Sequence, residues 1–174
     1  MPVPIAIPVP IPVLFVFGTR PEAIKMCPVY LHLKKDPNFS VKACATAQHR
    51  SMLDSVLAVF KVTPDYDLDA MTPGQTLPGL TARLLEGLDK VMADANPALV
   101  LVQGDTTSTF TGALAAFYRR VAVGHIEAGL RTGDIYQPYP EEMNRLLVSR
   151  LSTFHFAPTA QSAANLLREG VPQE

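Results

Sequence analysis

Val13-Leu14-Phe15-Val16-Phe17-Gly18-Thr19-Arg20-Pro21-Glu22-Ala23-Ile24-Lys25 decides the fold. Five apolar residues run into Gly-Thr-Arg-Pro-Glu, and an apolar-periodic stretch follows. Such a run reads as a buried strand, a tight turn and a helix start. Thr19 and Glu22 have capping-box spacing, and Pro21 falls in the first turn, where its missing N–H costs nothing. A helix opening beside a strand end offers free backbone N–H groups and the positive end of its dipole, which together make an anion site. Arg20 and Lys25 add two positive charges. The stretch predicts a pocket for a phosphorylated ligand at the carboxyl edge of a parallel sheet.

The same grammar repeats along the chain. Strands are predicted at Val13–Phe17, Val41–Thr46, Ala98–Gln103, Val121–Ile126 and Thr153–Ala157, with a weaker one at Tyr66–Leu68. Most are short and apolar on both faces, as in a parallel sheet covered on both sides. Between them, Leu77, Leu80, Leu84, Leu85, Leu88, Val91 and Met92 keep helical spacing through Thr76–Ala93. Met52, Leu53, Val56, Leu57 and Phe60 do the same behind a predicted cap at Ser51, and Thr159 opens a last helix ending near Gly170. The alternation predicts an α/β fold, a doubly wound Rossmann-like parallel sheet. Ligands of such sheets sit beyond the carboxyl ends of the strands, at the switch point.

The 174 residues suffice for one domain with a full core. Residues 1–12 form a Pro-rich apolar extension, with prolines at 2, 4, 8, 10 and 12, and the domain occupies 13–174. The extension has no basic leader and no small-residue cleavage site, so it does not read as a signal peptide. A net charge of −1, without a basic stripe, argues against a nucleic-acid partner. No apolar run is long enough to span a bilayer, so no membrane partner is expected. Cys27 and Cys44, far apart and without CxxC spacing, read as buried free thiols of a cytoplasmic protein. The last residues, Val171-Pro172-Gln173-Glu174, follow a helix, which suits either the end of a doubly wound domain or a hinge between two domains.

Polar residues cluster past three more strands. Gln103-Gly104-Asp105-Thr106-Thr107-Ser108-Thr109 follows one, Gly124-His125-Ile126-Glu127-Ala128-Gly129-Leu130-Arg131 closes another, and Glu141-Glu142-Met143-Asn144-Arg145 follows a Pro-containing loop. Asp105, Glu127 and Glu141 are expected to converge near Arg20 and Lys25, and crowded carboxylates raise one another's pKa as acid–base work requires. Each has a plainer alternative. Asp105 caps the next helix, Glu127 pairs with Arg131, Glu141 and Arg145 form a solvated i,i+4 pair, and His125 and His49 are structural. No metal-ligand spacing occurs, so no metal is expected. Gly18 to Lys25 lacks the second glycine and following Ser/Thr of a phosphate loop, and no GxGxxG follows the first strand, which argues against ATP, GTP and NAD.

Taken in order, Phe17–Met26, Thr46-Ala47-Gln48-His49-Arg50, Gly104-Asp105-Thr106-Thr107, Gly124–Arg131, Pro140–Arg145 and His155-Phe156-Ala157-Pro158-Thr159 resemble the non-hydrolysing UDP-N-acetylglucosamine 2-epimerases. The resemblance runs from about Val13 to the end. It implies the first half of a GT-B fold, with the active site in the cleft between two Rossmann-like domains, of which this chain covers one. It implies interconversion of UDP-GlcNAc and UDP-ManNAc without a cofactor, by elimination and re-addition of UDP through a 2-acetamidoglucal. Asp105, Glu127 and Glu141 match the family's acid–base positions, and Gly18, Arg20, Lys25 and Arg145 its substrate-binding ones. Gln48 and His49 match part of an activator site, although Ser51 and Gly74 stand where some members carry longer polar or basic side chains. The resemblance further implies a homodimer, a role in cell-surface polysaccharide biosynthesis, and little or no activity from one domain alone. The alternatives are a nucleotide-sugar-binding module that turns nothing over, a hydrolysing relative that makes ManNAc and UDP, and a glycosyltransferase, against which the Gly-Asp-Thr-Thr and Pro-Glu-Glu-Met-Asn-Arg motifs argue.

Overall fold

A computed structural model describes residues 9–46 and 50–173. The chain order is β1 (Ile11–Phe17), α1 (Arg20–Leu33), β2 (Phe39–Ala45), α2 (Arg50–Phe60), β3 (Tyr66–Asp67), α3 (Leu77–Ala95), β4 (Leu99–Gln103), α4 (Thr107–Tyr118), β5 (Ala122–Ile126), α5 (Glu141–Leu151), β6 (Phe154–Phe156) and α6 (Ala160–Arg168). All strand pairs are parallel, in the order β3-β2-β1-β4-β5-β6. The chain winds outward from β1 in both directions, so the switch point lies between the carboxyl ends of β1 and β4.

All six predicted strands form. β1 starts at Ile11, two residues earlier than predicted, so it takes in Pro12 opposite Ser40 of β2. A proline is tolerated there because the β1–β4 ladder begins only at Val13 and Leu99, while the Pro12 carbonyl still accepts from Ala98 N–H at 2.9 Å.

The unbroken apolar runs are explained by burial on both faces. Val13, Phe15 and Phe17 of β1 pack with Ala23, Met26, Cys27 and Tyr30 of α1 and with Leu53, Val56 and Leu57 of α2. The alternate residues Leu14 and Val16 pack with Leu80, Leu84, Leu88, Val91 and Met92 of α3 and with Ala113, Ala115 and Ala116 of α4. α3 forms where helical spacing was predicted, and Thr76 is its N-cap, with a hydroxyl that accepts from Gly79 N–H at 3.2 Å. Thr159 likewise caps α6, and Gly170 follows that helix with φ +83. Ser51 is not a cap: α2 already includes Arg50. Cys27 and Cys44 are free and buried, and burial pushes their thiols up to about 11 and about 12, so both are held as inert thiols. Among the described residues no helix is long and apolar enough to cross a membrane.

Candidate functional site

At the switch point, the carboxylate of Glu22 holds two loops together. Its Oε2 accepts from Gly18 N–H at 2.6 Å and Thr19 N–H at 2.8 Å, both in the turn after β1. Its Oε1 accepts from the hydroxyls of Thr106 and Thr109, which follow β4. The Glu22 side chain is 2 % exposed, and burial raises its pKa against the opposing pull of these four hydrogen bonds. The predicted Thr19–Glu22 capping box forms, its Glu22 half closed by the Thr19 N–H, while the buried Thr19 hydroxyl makes no close hydrogen bond among the described residues. The expected anion site is therefore filled from within: the Gly18 and Thr19 N–H groups already bind a carboxylate of the protein.

Gly18 is needed here for space. A Cβ on it would lie 1.9 Å from Thr46 Oγ1 and 2.5 Å from Ser108 Oγ, two hydroxyls that bond each other at 2.7 Å. Both residues are fully buried, so Gly18→Ala must break that bond or move a loop. It is expected to cost about 2–3 kcal/mol in urea unfolding; an unchanged midpoint would show that the turn is more compliant than its packing.

The predicted charged residues form two separate pairs. Lys25 Nζ donates to both oxygens of Glu127, at 2.7 and 2.6 Å, and Gln103 Nε2 donates to Glu127 Oε2. Glu127 has φ +67, an uncommon conformation for a non-glycine residue. It is held because its own N–H and that of Ala128 both donate to the Phe156 carbonyl, at 3.0 and 3.1 Å. The second pair is Asp105 with Arg145, while Asn144 Nδ2 donates to the Asp105 main-chain carbonyl at 2.9 Å. Arg145 also meets the buried Glu142 at 3.0 Å. The three carboxylates expected near Arg20 and Lys25 are thus divided: Glu127 meets Lys25, while Asp105 shares Arg145 with Glu142.

Arg20 and Glu141 stand apart from these pairs. Arg20 is exposed and Glu141 half-buried, and neither makes a side-chain hydrogen bond or ion pair among the described residues. The simple Glu127–Arg131 pairing does not occur, because Arg131 is bidentate with Glu169 at 2.7 and 2.9 Å. Nor does Glu141 pair with Arg145, whose helical partner is Glu142, three residues away. Gln48 and His49 lie outside the described residues. Among the described residues no group of His, Cys, Asp and Glu is placed to hold a metal ion.

His125 is structural in its geometry. Fully buried, it donates from Nε2 to the Gly104 carbonyl at 2.7 Å, and its Nδ1 has no partner among the described residues. Burial pushes its pKa down to about 4, from an ordinary value of 6.5. The folded state therefore keeps it neutral, and the stability this contributes is complete above about pH 6.5 and lost as pH falls towards 4. The loss is expected to reach about 3 kcal/mol. An NMR titration checks it: the His125 ring should stay neutral at pH 5.5, and a midpoint near 6.5 would refute the effect.

Sequence reasoning passed over Glu22, Gln103, Asn144 and Glu142. Glu22 was legible only as a cap; Gln103 and Asn144 act through space across 24 and 39 positions, and Glu142 stands beside a more conspicuous neighbour. The signal for Glu142 was present in its spacing of three from Arg145, which suits an ion pair as well as a spacing of four does.

The family model of UDP-N-acetylglucosamine 2-epimerase matches residues 31–174. The UDP-N-acetylglucosamine 2-epimerase of Salmonella typhimurium is 60% identical over 162 residues, which is 93% of this chain and 43% of that protein. That of Escherichia coli strain K12 is 60% identical over 159 residues, covering 91% of this chain and 42% of its own length. Among solved structures, the Neisseria meningitidis UDP-GlcNAc 2-epimerase bound to UDP-GlcNAc superposes with a TM-score of 0.89 at 56% identity, over 92% of this chain and 43% of that one. The Methanocaldococcus jannaschii enzyme in complex with UDP-GlcNAc and UDP gives 0.85 at 35% identity, over 94% of this chain and 44% of that one. The chain thus spans less than half the length of these relatives. With a family model matched over residues 31–174, relatives at 60% identity and the 3-2-1-4-5-6 parallel sheet in agreement, the chain belongs to the UDP-N-acetylglucosamine 2-epimerase family.

Proposed function

We propose that this chain is the acid–base half of a non-hydrolysing epimerase that interconverts UDP-GlcNAc and UDP-ManNAc. The observation that carries the reading is the pair of ion pairs, Lys25–Glu127 and Asp105–Arg145, each joining a helix cation to a carboxylate just beyond the carboxyl end of a strand. In the reaction, a carboxylate takes the C2 proton and the C1–O bond breaks. UDP leaves with that electron pair, and a 2-acetamidoglucal remains. UDP then adds back at C1 as C2 is protonated on the opposite face. Arg20, Lys25 and Arg145 supply positive charge for the diphosphate, worth most where water is excluded. Asp105, Glu127 and Glu141 are the proton-transfer groups, and Gly18 lets the turn after β1 pack tightly. Gln48 and His49 belong to an activator site for a second UDP-GlcNAc. The working enzyme is a cytoplasmic homodimer that pairs through this domain and serves cell-surface polysaccharide synthesis; it needs no cofactor.

The site is one wall of a cleft, and a misplacement of about 1 Å can cost on the order of 100-fold in rate. The 174-residue chain is therefore expected to bind UDP-GlcNAc weakly and turn it over hardly at all. Proton NMR of UDP-GlcNAc with the chain in D₂O tests this. Broadened ligand lines without deuterium at C2, with the broadening lost in Lys25→Met, is the expected result. Deuterium at C2 with UDP-ManNAc would overturn the half-site expectation. Free ManNAc and UDP would replace the reading with hydrolysing chemistry. Unbroadened lines would remove the substrate assignment.

A further inference from the structure

We propose that Glu142 is the positioning residue of this site: it grips Arg145 so that the guanidinium meets Asp105, and so leaves Glu141 as the carboxylate of the pair that is free for substrate. The proposal deepens the epimerase reading and rests on it for the identity of the site.

The two adjacent glutamates have opposite surroundings. Glu142 is 1 % exposed, and both of its oxygens are engaged. Oε1 accepts from Thr132 N–H at 3.0 Å and from Gly133 N–H at 3.3 Å, and Oε2 accepts from Arg145 Nη1 at 3.0 Å. A carboxylate so enclosed has no surface to offer a substrate. It lies in the first turn of α5, where the helix dipole favours negative charge. Glu141 is half-buried and has no polar partner among the described residues.

Arg145 carries the effect of Glu142 to the site. One terminal nitrogen meets Glu142 and the other meets Asp105, while Nε has no partner among the described residues. Two carboxylates on the two terminal nitrogens oppose rotation of the guanidinium about the Nε–Cζ bond. The same turn of α5 supplies Asn144, which holds the Asp105 main-chain carbonyl. Asp105 is thus fixed at backbone and side chain by α5, and Glu142 is the element of that clamp buried furthest from solvent. A glutamine at 142 cannot replace it. Its amide nitrogen would face either Arg145 or the Thr132 and Gly133 N–H groups, donor against donor on one side or the other.

Nitrogen-15 NMR of arginine side chains in the 174-residue chain tests this, with the Arg145 signals assigned by Arg145→Lys. In the wild type, Arg145 should show two resolved, slowly exchanging Nη signals. In Glu142→Gln they should merge into one averaged signal while the amide spectrum stays dispersed. In Glu141→Gln they should stay resolved. Resolved Arg145 signals in folded Glu142→Gln would overturn the proposal. Should that variant not fold, the wild type decides: a single averaged Arg145 signal refutes the grip and two resolved signals support it. Titration with UDP-GlcNAc separates the two ideas. Resolved signals that UDP-GlcNAc does not perturb would sink the epimerase reading of the site and leave the Glu142–Arg145 grip standing.

Discussion

Glu22→Ala is expected to destabilise the domain by roughly 3–5 kcal/mol, whereas Glu22→Gln should change its stability by about 1 kcal/mol or less at pH 7. Alanine leaves the buried Gly18 and Thr19 N–H groups without an acceptor and parts the loops after β1 and β4. Each orphaned donor costs about 1–3 kcal/mol, a large share of a typical total of 5–15. Glutamine keeps a carbonyl oxygen for both N–H groups and turns its amide towards Thr106 and Thr109. Those hydroxyls can turn to accept, because Thr109 already has another acceptor in the Gln103 carbonyl at 2.7 Å. Glutamine also has no charge to desolvate. The carboxyl pKa is raised in the fold, so the stability Glu22 contributes is complete below about pH 4.5 and lost as pH rises through its folded value. Urea unfolding of Glu22→Gln and wild type should therefore diverge in favour of glutamine as pH rises from 4.5 to 7. The His125 effect has the opposite sign and cancels in that difference. Equal midpoints for the alanine and glutamine variants would sink the account.

Gly129→Ala should be comparably severe. Gly129 has φ +87, and a Cβ there would lie 2.2 Å from the Ser162 carbonyl oxygen and 2.8 Å from its carbon. Those are backbone atoms of α6, which Asn165 ties back to the Gly129 carbonyl at 2.9 Å. Left-handed strain costs about 1–2 kcal/mol and the overlap about 1–3 more. At this chain length that should lower the melting temperature by roughly 5–20 °C. Gly133→Ala is the control: φ is +85, but nothing lies within 4 Å of the added carbon. It should show the strain without the overlap, a fall of only a few degrees. Similar falls for both variants would mean that α6 moves aside freely.

What could be read ahead of the structure follows from how local each signal is. The apolar run of β1 and the Leu77-to-Met92 spacing are one-dimensional patterns, and they reappear as a strand buried on both faces and a helix with one buried stripe. Thr76 and Thr159 were legible as helix starts, and each caps its helix by accepting from a donor three residues away. Ser51 failed because α2 begins one residue earlier. The site was legible as a set of residue types and opaque as a set of partners. Glu127 had Arg131 four positions away, yet it pairs with Lys25 at a separation of 102. Glu22 matched a local capping motif so well that its second pair of contacts, to Thr106 and Thr109, left no trace in the sequence.

In a dinucleotide-binding sheet the turn after the first strand closes around a diphosphate brought by the ligand. Here the turn carries its own anion on a tether of four residues. The entropy of ordering the two loops is therefore spent during folding, before any substrate arrives. Binding at this edge meets a surface already set, and affinity is not reduced by the cost of organising it. The expected kinetic mark of such a surface is fast, nearly temperature-insensitive capture on this wall of the cleft.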